Sequence, residues 1–106
     1  MPEKRTYLRD HLMVDHDWGS TGLWVKIEGD GWANTRYEWH DVPDWLVARF
    51  DYWCELHERS APDRPDPEEL DEEAFDAYGL SLAIDLKRVL GPDVHVFYGP
   101  KHEVAA

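Results

Sequence analysis

Pro43 separates two hydrophobic rhythms in this chain, and any fold has to satisfy both. Ahead of it, LWVKIE (23–28) alternates Leu23, Val25 and Ile27 against Trp24, Lys26 and Glu28, the period of two expected of a half-buried strand. YLRDHLMV (7–14) follows the same rule. Read as one regular strand, it sets Leu8, Leu12 and Val14 on one face and Tyr7, Arg9, His11 and Met13 on the other. The turn-rich DHDWGSTG and GDG (29–31) interrupt these runs and place Trp18 and Trp32 in turns, because Gly supplies the positive backbone angles that tight turns need. TRYEWHD (35–41) adds a short third strand or an ordered loop, with Tyr37 and Trp39 on one face.

Beyond Pro43 the period lengthens. In DWLVARFDYWCELHER the apolar residues Leu46, Phe50, Trp53 and Cys54 recur every three or four positions, and Asp44 or Asp41 is placed to cap a helix. Asp51, Glu55, Glu58 and Arg59 occupy the other side, so this helix is expected to pack one face only. SAPDRPDP then breaks the chain with three prolines. Asp66, Pro67, Glu68 and Glu69 form a start signal, and a second helix is expected to begin between residues 67 and 72. Its buried stripe is Phe75, Tyr78, Gly79, Leu82, Leu86, Val89 and Leu90; Gly79 costs about 1 kcal/mol in a helix relative to alanine, which implies close approach of another element. GPD (91–93) stops it, and VHVFY (94–98) is a last strand. With 106 residues the expectation is one α+β domain over 1–106: a mostly antiparallel sheet of three to four strands with two helices on one face, in the order ββ(β)ααβ.

Charge narrows the function classes. The formal net charge is −12, which argues against nucleic acid and anionic membrane, since both need clustered cations. Residues 63–76 hold eight acids against Arg64, a local surplus that either solvates the start of the second helix or docks a basic protein. Glu68, Glu69, Asp71, Glu72 and Glu73 are its candidate contacts. Cys54 is the single cysteine, which rules out an intrachain disulfide and fits a reducing, cytoplasmic setting. No apolar run has the length of a signal peptide's core or of a membrane span.

Reactive chemistry is sparse. The six histidines lack a metal-ligand spacing, no serine sits in a nucleophile elbow, and neither GSTG nor GDG has the spacing of a phosphate loop. No cofactor, metal or catalytic residue is expected. All six tryptophans fall between residues 18 and 53. Trp53 belongs to the helical core by its spacing; Trp18, Trp24 and Trp32 lie off the inferred core face. Such rings close the open side of a small sheet, anchor a partner or line a pocket, and Trp24, Trp32, Trp39 and Tyr37 are the pocket candidates.

DVPDWLVARFDYW and FDAYGLSLAIDLKRVLGPDVHVFY resemble small bacterial proteins of uncharacterised families, in which a proline-started helix and a Gly-containing helix precede a last strand. The chain also has the general look of acidic immunity proteins that neutralise toxins. This resemblance covers at most the later two thirds and rests on structural motifs, so it implies an acidic inhibitor and no functional residue. The expectation is a non-enzymatic interaction domain for a basic partner, with a homodimer through exposed aromatics also open. The alternative is a small-ligand domain or enzyme with a Trp-lined pocket.

Overall fold

A computed structural model describes residues 5–105. Four strands, β1 (Tyr7–Val14), β2 (Leu23–Ile27), β3 (Trp32–Asn34) and β4 (His95–Tyr98), form one sheet in the order β3-β2-β1-β4. The β1/β2 and β2/β3 pairs are antiparallel, and β1/β4 is parallel. A parallel pair needs a crossover, which α1 (Asp44–Arg59) and α2 (Glu72–Leu90) supply. Both helices join Leu12, Val14, Leu23, Val25 and Val96 in one core through Leu46, Phe50, Trp53, Leu82 and Leu86, so they cover a single face of an α+β domain.

The alternation of β2 survives intact: Leu23 and Val25 are buried, while Trp24 and Lys26 point to the open face. That of β1 does not. Leu8 pairs with Lys26 and Leu12 pairs with Val25, so Arg9, Asp10 and His11 bulge out opposite a single step of β2. A bulge reverses side-chain facing. Leu8 therefore shares the open face with Lys26, and Tyr7, paired with Ile27, moves to the helix-covered side. Trp32 opens β3 instead of lying in a turn, and Tyr37–Trp39 form one 3-10 turn where a strand or loop was expected.

The helix starts also differ from expectation in detail. Pro43 occupies the cap position of α1 without any side-chain hydrogen bond, and Asp41 sits at positive φ in the preceding turn. The second helix begins at Glu72, capped by Asp71, whose carboxylate accepts from the Ala74 amide at 3.1 Å. Residues 67–71 stay outside the helix, and the Glu68 amide donates to the Arg59 carbonyl at 2.9 Å, which ties the linker back onto the end of α1. Gly79 fulfils its expected role. A Cβ there would lie 2.6 Å from Trp53 and 2.7 Å from Tyr98, so only hydrogen lets α2 approach both rings.

Candidate functional site

Three of the six indoles face solvent: Trp18, Trp39 and Trp45 are 51%, 56% and 53% exposed, whereas Trp53 is fully enclosed. The Trp53 indole stacks on Phe75 at 4.7 Å and donates to the Phe75 carbonyl at 2.9 Å. Trp24 and Trp32 are half-buried on the open side of the sheet. There Trp24 donates to the Asp15 carbonyl at 3.0 Å, and Trp32 meets Phe97 edge-on at 5.5 Å with the Lys26 ammonium 5.4 Å from its ring. Met13, paired with Trp24 on one side and Phe97 on the other, is buried among them. Tyr37 faces inward, packed on Phe50 with its hydroxyl on the Thr21 carbonyl, and burial pushes its phenol well above the ordinary range.

A further exposed apolar surface lies along α1. Trp45, Arg49, Tyr52 and Leu56 follow one another at helical spacing and form a second stripe, roughly a quarter turn from the buried one at 3.6 residues per turn. The helix thus has two apolar faces, not one. Tyr78 of α2 reaches over to Tyr52, with ring centroids 5.6 Å apart, and the Arg49 guanidinium lies 5.1 Å from the Tyr78 ring. Arg49 is pinned by Asp85 and by Ser81 Oγ at 2.9 Å, so it is neutralised inside the patch. Pinning a cation this way leaves the stripe apolar in character.

Beside the stripe, the returning linker builds a groove of about 350 Å³. Its floor is Leu56, Leu70, Ala74, Phe75 and Tyr78, and its rim carries Glu68, Glu69 and Asp71. Glu69, Asp71 and Glu72 border an adjoining concavity, and Glu73 is exposed on the first turn of α2. Only Asp71, Glu72 and Glu73 lie where the helix dipole stabilises acids. Glu68 and Glu69 precede the helix, so the dipole does not account for them.

Behind the groove, Phe75 packs against His57 and His16, whose rings lie 3.7 Å apart with Trp18 at 4.1 Å from His57. His16 Nε2 and His57 Nδ1 are buried without a hydrogen-bond partner. Burial, with His57 adding to it, holds His16 below the ordinary imidazole pKa. The two rings are tilted by 32° to each other, and no group of three metal-ligating side chains occurs among the described residues. Cys54 is an inert packing thiol, pushed up to about 11 by burial.

The chain matches no family model, and no curated protein or solved structure shows significant similarity to it. Function therefore rests on geometry.

Of the residues singled out by sequence, the fold gathers Glu68, Glu69 and Asp71 on one rim and disperses the aromatics: Trp18 to the histidine pair, Trp24 and Trp32 to the sheet's open face, Trp39 to the far end near β3. Trp45, Tyr52, Leu70 and Tyr78 escaped notice as surface residues. The spacing 45, 49, 52, 56 was a usable signal for two of them, Trp45 and Tyr52, and for their neighbours Arg49 and Leu56. The approach of Tyr78 and Leu70 is tertiary and has no local signature.

Proposed function

We propose that this domain is a non-enzymatic recognition module that holds a basic segment of another protein in the groove between α1, the linker and the start of α2. One observation carries the reading: an apolar floor with an aromatic stripe is bordered by Glu68 and Glu69, carboxylates that helix capping does not explain. Aromatic rings anchor interfaces when they can be desolvated, and a rim of one sign raises the encounter rate with an oppositely charged partner. A Lys- or Arg-bearing segment with apolar side chains satisfies both parts. A second copy of the chain would bring acidic rim against acidic rim, so a basic partner suits the surface better than a homodimer.

The test is calorimetry with an amphipathic peptide in which Lys and Leu alternate at helical spacing, at low and high salt. Saturable binding that weakens as salt rises, and that is lost in a Glu68→Lys/Glu69→Lys variant of unchanged stability, is the expected result. Binding indifferent to both salt and charge reversal would remove the proposal. An acidic inhibitor of a basic toxin is the biological role that this chemistry fits, consistent with the resemblance to immunity proteins.

A further inference from the structure

A second concavity, of about 310 Å³, lies between the start of β1, β3 and the turn at Trp39 and His40. It exists because of the β1 bulge. A regular strand would send Arg9 to the open face with His11 and Met13; the reversal at Arg9–His11 brings Tyr7 and Arg9 to the helix side, facing Val25 and Trp39.

Its chemistry is the inverse of the groove's. Arg9 is the one charged side chain that lines it, on a chain of net charge −12, and Arg9 forms no ion pair among the described residues. The walls are flat rings: Tyr7 is 45% exposed and Trp39 more so. Arg36 lies over the Trp39 ring at 5.4 Å, a contact that steadies the indole. Val25, Thr35 and His40 form a buried floor, in which Thr35 Oγ1 and His40 Nε2 are 2.9 Å apart and the Thr35 carbonyl accepts from Thr21 Oγ1 at 2.7 Å. Burial, reinforced by Arg9, lowers the His40 pKa, so the floor stays neutral near pH 7. Arg9, Trp39 and His40 also border a neighbouring hollow with Leu12, Asp41, Leu90 and Val94.

We propose that this pocket binds a small planar carboxylate, its ring against Trp39 and Tyr7 and its carboxylate on the Arg9 guanidinium. The fork of an arginine matches a carboxylate in a way that it does not match a neutral amide, and a volume at the lower end of ligand sites suits one or two rings. The acidic balance of the chain repels anions in general, which favours a carboxylate settling on the Arg9 recess. This site is independent of the groove proposed above, and either can fail without the other.

The experiment uses benzoate, 4-hydroxybenzoate and indole-3-carboxylate, each beside its carboxamide, titrated into the ¹⁵N-labelled chain. Saturable shifts of the Ala33 and Thr35 amides and the Trp39 indole N–H are expected from at least one acid, with its carboxamide about tenfold weaker or more. Arg9→Gln should abolish the preference for the acid while leaving the spectrum of the free protein folded. Trp39→Ala, a substitution at an exposed ring, should weaken acid and amide alike. Absence of saturable binding by all three acids, equal binding of acid and amide, or shifts centred on Tyr52 and Tyr78 would overturn the proposal.

Discussion

The groove along α1 and the pocket beside β3 share one plan, exposed aromatic rings around an uncharged floor, yet they carry opposite charge. In the groove the floor is drawn from α1, the linker and α2, and the rim is Glu68, Glu69 and Asp71; in the pocket Val25 of β2 is joined by Thr35 and His40 from beyond β3, and the lone charge is Arg9. A single net charge conceals this. The −12 of the whole chain describes the linker and α2 start well and the β3 end badly, so ligand sign has to be read surface by surface.

The contrast can be broken wholesale through the core that supports both surfaces. Gly79→Ala should destabilise the domain by about 1–3 kcal/mol, since overpacking against the Trp53 and Tyr98 rings exceeds the gain of about 1 kcal/mol in helix propensity. Chemical denaturation checks it, and unchanged stability would mean that α2 does not approach those rings as described.

Smaller changes separate the two sites. Asp71→Ala removes the cap of α2 at a cost of about 1 kcal/mol and should weaken the groove through fraying of residues 72–75, with the pocket unaffected. Denaturant midpoints together with amide exchange in the first turn of α2 report the result. Tyr52→Ala, at a residue 47% exposed, should change stability by less than about 0.5 kcal/mol while reducing affinity for the basic peptide at least fivefold. Equal loss at the pocket in that variant would show that the surfaces are coupled.

A subtler distinction comes from pH. His16 and His40 stand behind the groove and within the pocket respectively, and burial lowers both below their ordinary value of 6.5. A depressed histidine pKa means that the unfolded chain binds protons first. The stabilisation is complete above about 6.5 and is lost as pH falls through each folded-state value. Asp15 acts in the opposite sense: burial raises its carboxyl pKa, so its unfavourable burial is relieved as pH falls. Urea titrations between pH 7.5 and 5.5, a window of about one unit either side of 6.5, should show falling stability. His16→Gln and His40→Gln should each flatten that slope in part, and a flat slope in the parent would place both rings in water.

How much of this was visible beforehand differs by element. The strand LWVKIE and both helices declare themselves, since their faces are set by contact with one core and recur at a local period. Gly79 was legible for the same reason, as a costly residue on a buried stripe. The bulge at Arg9–His11 was not: it answers to the register against β2 and to the parallel pairing with β4, neither of which leaves a mark in YLRDHLMV. That one irregularity placed Arg9 on the wrong side in a regular reading and hid the pocket. The acids of the groove rim were read from composition, whereas Tyr52 and Tyr78 meet only because the two helices pack. The pairing of His16 with His57, 41 positions apart, is of the same kind.

A single spectrum tests the two-surface account most directly. With the ¹⁵N-labelled chain, the basic peptide and then indole-3-carboxylate are added to one sample. The account predicts two disjoint sets of shifts, the first around Tyr52, Leu56, Leu70 and Tyr78, the second around Ala33, Thr35 and Trp39. Overlapping sets, or shifts that ignore both regions, would contradict it.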